Sequence, residues 1–236
     1  MKKLLLVLLS APLLAFAAGA ELNLDKAPDH SRDQAALQNG AKIFVNYCLN
    51  CHSASYMRYN RLQDIGLTEA QIRDNLMFAA DKVGEPMTIA MQRADAKVWF
   101  GVAPPDLTVI ARARASEFGS GADWLYTYLR SFYRDDERPT GWNNVVFANV
   151  GMPHILWELQ GDQVMGDDHH LKLVRPGKMA PAEYDAMVGD LVAYLVYMGE
   201  PMGEFRKSLG VVVLIALAVL FVFALALKRE FWKDVH

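Results

Sequence analysis

Both cysteines of this 236-residue chain fall in one pentapeptide, Cys48-Leu49-Asn50-Cys51-His52, inside the run FVNYCLNCHSASYMRYN. Two thiols three residues apart, with an imidazole directly behind them, leave few chemistries open. A disulfide is the first alternative, because the ends of the chain point to an exported protein and disulfides persist outside the cytoplasm. A two-residue gap, however, belongs to redox dithiols in a thioredoxin-like βαβ unit. The flanks here are helical instead. Leu37, Ala41, Phe44 and Cys48 recur at helical spacing, with Ser31 or Asp33 placed to cap the start. A structural zinc site needs four ligands, and the chain offers neither a second cysteine pair nor a His-x-His cluster. His169 and His170 are adjacent, so on a helix they point apart, and their neighbours Asp167 and Asp168 fit a solvated loop.

The reading that uses all three residues is covalent attachment of a haem. On one helical turn, positions i and i+3 bring both sulfurs to one face, where they can form thioethers to the two vinyl groups. His52 then projects its imidazole under the ring as an axial ligand to iron. Cys-x-x-Cys-His is the attachment pattern of c-type haem, so one covalently bound haem c is the expected cofactor.

The two ends carry apolar runs of different kinds. Lys2 and Lys3 precede an apolar run from Leu4 to about Ala18, and Ala18-Gly19-Ala20 fits a small-x-small cleavage pattern. Residues 1–20 therefore read as a secretory signal peptide, an uncleaved anchor being the alternative. Near the other end, Leu209 to Leu227 is 19 residues without a charge, framed by Arg206-Lys207 and Lys228-Arg229. At about 1.5 Å per residue such a helix spans nearly 30 Å, the hydrocarbon thickness of a bilayer. As a buried soluble helix it would leave no polar face to meet water. The signal peptide sets the orientation, with the domain outside and a short tail in the cytoplasm. The expected organisation is a signal peptide at 1–20, a periplasmic haem domain at 21–207, a transmembrane anchor at 208–228 and a cytoplasmic tail at 229–236. Membrane lipid is thus one partner, and the bacterial inner membrane the expected location. Residues 21–207 hold 19 Lys+Arg against 25 Asp+Glu, a net of −6, which disfavours nucleic acid and permits docking by a basic partner.

A haem is large and flat, so the remaining chain should supply apolar walls, a sixth ligand and partners for the propionates. In residues 101–133, Pro104-Pro105 fixes an extended turn, and a carbonyl there can accept the Nδ1–H of His52. Arg112 and Arg114 follow, and a guanidinium fork suits a propionate carboxylate. A solvated surface charge is the ordinary alternative for either. Trp124, Leu125, Tyr128 and Leu129 keep i, i+4 spacing, which helix core packing explains without a haem. Residues 147–159 form an apolar stretch broken by Gly151-Met152-Pro153. Residues 181–201 read as an amphipathic helix with Pro181 in its first turn and a stripe of Met187, Leu191, Leu195 and Met198, ended by Gly199 and Pro201. The fold class that follows is mainly α: a c-type cytochrome haem domain with long loops plus one C-terminal transmembrane helix.

With these segments in order, the chain resembles the cytochrome c1 family, the haem c subunit of the cytochrome bc1 complex (ubiquinol–cytochrome c reductase), in its shorter bacterial form. CLNCH is common to c-type cytochromes. More specific are Ala103-Pro104-Pro105-Asp106-Leu107 followed by Arg112-Ala113-Arg114, and the long interval from His52 to the Gly-Met-Pro segment. Most specific is the order of one haem domain, a helix ending YMGEP and a single anchor. The resemblance implies that Cys48 and Cys51 carry haem c, that His52 is one axial ligand and that Met152 is the other. It also implies a propionate contact for Arg114, and it sets Trp124 where the family often has a tyrosine near a propionate. The family usually has further residues between the methionine and a Pro-Pro pair, whereas here Pro153-His154 follows Met152 at once.

The implied function is electron transfer from a Rieske iron–sulfur protein to a soluble or membrane-bound cytochrome c, beside cytochrome b. Quinol chemistry would belong to the other subunits, and this chain needs no general acid, base or nucleophile. Two other readings share the haem motif. A membrane-tethered class I cytochrome c shuttle would carry a haem domain nearer about 100 residues, and a haem-based sensor would leave the sixth position open.

Eleven methionines compete for that sixth position. Met57 lies five residues after His52 and does not easily cross to the other haem face. Met87 and Met91 sit in a polar stretch, and Met187 and Met198 belong to the core stripe. Met179 is the rival, because it lies just before the last helix of the domain, where small class I cytochromes carry their ligand. Met152 has the better surroundings: Gly151 permits close approach, Pro153 stiffens the loop, and Phe147, Val150, Ile155 and Leu156 can exclude water. His154 in its place would lower the potential.

Overall fold

Asp33, not Ser31, starts the first helix. Its carboxylate accepts from the amides of Ala35 and Ala36 and leads into α1 (Gln34–Ile43) in the computed structural model, which describes residues 22–235. The expected signal peptide lies outside those residues. After Ile43 the helix widens into a π-helical turn, Phe44–Cys48, closed by a 2.9 Å bond from the Leu49 amide to the Phe44 carbonyl. Such turns often mark functional positions within helices. Leu37, Ala41, Phe44 and Cys48 all point into the core, as their spacing requires.

The chain continues through β1 (Ala54–Arg58), a 3₁₀ segment (Tyr59–Ile65), α2 (Glu69–Asn75), β2 (Pro86–Met87), α3 (Arg93–Phe100), α4 (Ile110–Ala113) and α5 (Gly121–Arg130). Then come β3 (Phe132–Arg134), β4 (Trp142–Asn144), α6 (Trp157–Gln160), β5 (Gly161–Met165), β6 (Leu171–Pro176), α7 (Pro181–Gly199) and α8 (Gly203–Trp232). Helices carry most of the regular structure, in accord with the mainly α expectation.

α1 and α7 pack against each other at close range. A Cβ on Gly40 would lie 2.2 Å from the Asp190 carbonyl oxygen and 2.7 Å from the Tyr194 Cβ, so only glycine lets the two backbones meet there. One turn on, the Phe44 and Tyr194 rings pack 5.5 Å apart. The expected stripe of Met187, Leu191, Leu195 and Met198 is buried in this interface and its surroundings. The helix that delivers the CLNCH turn is therefore fixed against the last helix of the domain.

A four-stranded sheet, ordered β4-β3-β5-β6, adds a feature the sequence reading did not include. β3 and β4 form an antiparallel pair with Phe132 opposite Asn144, β3 meets β5 in parallel, and β5 and β6 close an antiparallel hairpin. These strands are three to six residues long, and β6 is largely exposed, so no clean alternation announces them. His169 and His170 sit exposed in the β5–β6 turn, consistent with a solvated loop.

Met87 also departs from expectation. Although its sequence neighbours are polar, it is fully buried, because β2 pairs with β1 and sets Met87 opposite Ala54.

Past α7, a short joint leads into α8, whose 30 residues extend beyond the apolar run at both ends. The helix is long and apolar enough to cross a membrane, and none of its residues is buried against the domain. Its first turns are tied back by two ion pairs, Arg32 with Glu204 and Arg206 with Glu200. Each exposed pair is worth little alone, so together they orient the anchor more than they stabilise it.

Gly40→Ala should lower the stability of the haem-loaded protein by about 1–3 kcal/mol or more, the usual cost of overpacking. Denaturant unfolding measures this directly. An unchanged midpoint would mean that the two helices can separate without cost.

Candidate haem site

The Cys48 carbonyl accepts from two amides, that of Cys51 at 3.1 Å and that of His52 at 2.9 Å. One tight turn thus presents both sulfurs and the imidazole together. The thiols are free, Cys48 buried and Cys51 half-buried. Burial, reinforced by the neighbouring Cys51, pushes the Cys48 thiol up to about 12.

His52 is only 8 % exposed, and its Nδ1 lies 2.8 Å from the Pro105 carbonyl oxygen. A carbonyl can only accept, so the ring proton sits on Nδ1 and Nε2 keeps its lone pair. Burial lowers the His52 pKa against the opposing pull of the Pro105 bond and the nearby Asp106, which favours the neutral imidazole.

Asp106 pins the loop that carries Pro105. One carboxylate oxygen accepts from the Ser55 amide at 2.8 Å; the other accepts from the Thr108 amide at 2.8 Å and its hydroxyl at 2.6 Å. Burial by itself would raise the Asp106 pKa, but the bonds from Thr108 and Ser55 outweigh it and hold the carboxyl below its usual range. The Leu107 amide adds a 2.9 Å bond to the Ser53 carbonyl, tying the loop to the segment just after the haem motif.

A second group of residues lies around Met152. Arg114 spreads its guanidinium over the Trp124 ring at 4.4 Å and lies 5.5 Å from the Phe147 ring. Among the described residues it forms no ion pair, whereas Arg112 pairs with Glu200 at 3.1 Å and turns toward the end of α7. Trp124 stacks on Tyr128 with centroids 4.8 Å apart, and the Tyr128 hydroxyl donates to the Met152 Sδ at 3.3 Å. Arg114, Trp124, Tyr128 and Met152 therefore form one contiguous row.

The loop carrying Met152 is held by adjacent asparagines at the end of β4. Asn144, 1 % exposed, accepts from the amides of Val146 and Phe147 and donates to the Tyr128 carbonyl. Asn143 accepts from the Asn149 amide at 2.8 Å, and Arg138 donates to the Asn149 side chain and carbonyl. At Gly151 an added Cβ would sit 3.0 Å from Val102 Cγ1, so the Met152 loop presses on the segment leading to Pro105. Val150 and Leu156 are buried beside Met152, Ile155 is half-buried, and Phe147 remains 44 % exposed.

His154 and Met179, the other candidates for the sixth position, have contacts of their own. His154 is buried between Phe132, on which it stacks at 4.8 Å, and the edge of Trp142. Burial takes its pKa down to about 4. Met179 is half-buried with its amide bonded to the Leu159 carbonyl.

Tyr128, Asn143 and Asn144 are the residues the sequence reading missed. Helical spacing assigned Tyr128 to ordinary core. A signal for the asparagines does exist, since a polar pair inside the apolar run WNNVVFANV must find partners once buried.

The donors present fit a haem c: two free thiols on one turn, an imidazole held through Nδ1, a thioether, and a half-buried guanidinium with no anionic partner among the described residues. The Cytochrome C1 family matches residues 25–235. The chain is 49% identical to the cytochrome c1 of Allochromatium vinosum, with the whole of both chains covered. It is 50% identical to a protein of Nitrosomonas europaea named ammonia monooxygenase gamma subunit, covering all of this chain and 98% of that one. Cytochrome c1 of Rhodospirillum rubrum is 29% identical over 86% of this chain and 83% of its own. A match across the whole described domain and its anchor places the chain in the cytochrome c1 family, whose members carry covalently attached haem c and act as the membrane-anchored electron-transfer subunit of the cytochrome bc1 complex.

Proposed function

We propose that the chain accepts one electron from a Rieske iron–sulfur protein and passes it to a cytochrome c, while anchored beside cytochrome b. Residues 21–207 stand on the periplasmic side of the bacterial inner membrane after export by residues 1–20. Residues 208–228 cross the bilayer, and 229–236 reach the cytoplasm. The observation that carries this reading is the hydrogen bond from His52 Nδ1 to the Pro105 carbonyl on the CLNCH turn, which leaves Nε2 as the ligating atom.

In this reading Cys48 and Cys51 would hold the cofactor through thioethers, and His52 and Met152 would supply the iron ligands. The haem, when bound, supplies a reversible one-electron iron couple. Arg114 pairs with a propionate, and Trp124 supports the guanidinium from beneath. Pro105 holds the His52 ring in one tautomer and one orientation. A thioether ligand would favour ferrous iron and raise the potential, as a carrier downstream of quinol needs.

Met152→Leu and Met179→Leu, made separately, test the ligand assignment while keeping volume nearly constant. Met152→Leu should abolish the methionine–iron signature of the oxidised spectrum and drop the potential sharply, whereas Met179→Leu should do neither. The reverse pattern would move the chain toward a tethered class I shuttle.

Extraction in mild detergent should bring the chain down with cytochrome b and a Rieske protein. Recovery with monooxygenase subunits in their place would shift the reading toward the name its Nitrosomonas europaea relative carries.

A further inference from the structure

We propose that Tyr128 is a positioning residue for the sixth ligand, its hydroxyl selecting which sulfur lone pair of Met152 faces the iron; this rests on the assignment of Met152 as that ligand. The hydroxyl donates to Met152 Sδ at 3.3 Å. A thioether sulfur has two lone pairs and is a weak acceptor, so a donor on one side leaves the other for the metal.

The phenol ring is held on several sides and cannot swing away. Trp124 stacks on it at 4.8 Å with planes 14° apart, and Phe132 meets it edge-on at 5.0 Å. Its carbonyl accepts from Asn144 Nδ2 at 2.8 Å, and the same asparagine accepts from the Val146 and Phe147 amides. One buried side chain thus fixes both the donor's backbone and the start of the loop that carries the acceptor.

The bond has an electronic consequence as well as a steric one. A proton donated to the sulfur withdraws electron density from it. Ferric iron depends on ligand donation more than ferrous iron does, so the donor favours the reduced state and raises the potential.

Tyr128→Phe in the full-length, haem-loaded protein removes one oxygen and leaves the ring packing intact. It should keep the methionine–iron signature and increase the ferric-to-ferrous ratio at fixed poise by roughly two- to fivefold, the scale of a single hydrogen bond. It should also move the Met152 methyl resonance of the ferrous protein. In a Met152→Leu background the same substitution should leave the ratio unchanged.

An unaltered ratio and methyl resonance in Tyr128→Phe would overturn the proposal. So would an equal shift in both backgrounds, which would mean that the tyrosine acts through the general field and not through sulfur. If Met152→Leu alone kept the methionine–iron signature, the ligand assignment would fall and this proposal with it. If Met152→Leu lost that signature while Tyr128→Phe changed nothing, only this proposal would fall.

Discussion

The contact of α1 with α7 at Gly40 governs where the haem motif stands. A helix that ends in CLNCH can deliver two thiols and an imidazole to a fixed place only if it cannot slide or rotate. Direct approach of its backbone to the Asp190 carbonyl removes that freedom. Phe44 on Tyr194 extends the contact by a turn, and the π-helical turn at Phe44–Cys48 then redirects the chain into the motif. From that base the Cys48 carbonyl gathers the Cys51 and His52 amides, and the Pro105 carbonyl receives the imidazole. Buried contacts of this kind tolerate little change in volume.

The two sides of the site are built differently. On the His52 side, helix packing and a loop pinned by Asp106 act together, with partners for His52 Nδ1, the Ser55 amide and both donors of Thr108. The Met152 side depends on a loop of residues 145–153 with no regular structure until α6. Its order comes from Asn143, Asn144 and Arg138, which satisfy backbone groups that a buried loop would otherwise leave unpaired. On the same side stands the row of Arg114, Trp124, Tyr128 and Met152, which joins a cation to a thioether through two stacked aromatic rings.

The helices and the motif were legible because their signals are local. Apolar spacing marked the faces of α1 and α7, an acidic cap marked the start of α1, and the uncharged run marked α8. The Pro105 carbonyl was foreseeable as an acceptor because a metal-ligating histidine needs one on its other nitrogen. The sheet was not legible, since β3 to β6 are short and its two antiparallel pairs are joined only by the parallel pairing of Arg134 with Val164. Met87 looked polar from its neighbours and was buried by a strand pairing. Arg112 and Arg114 carry the same chemistry two residues apart. Their separate fates, one on Glu200 and one on Trp124, are set by packing that sequence spacing does not encode. Tyr128 was disguised in the same way, its ring belonging to the core and its hydroxyl to the Met152 loop.

The account depends most on the claim that Cys48 and Cys51 are both bonded to one haem on the turn that precedes His52. Trypsin should release residues 43–58 as one peptide, bounded by Lys42 and Arg58. Mass spectrometry of that peptide from the denatured, membrane-derived protein should find its mass raised by one haem, with neither cysteine open to alkylation. Recovery of the peptide with two free thiols, or with a Cys48–Cys51 disulfide and no haem, would contradict the account.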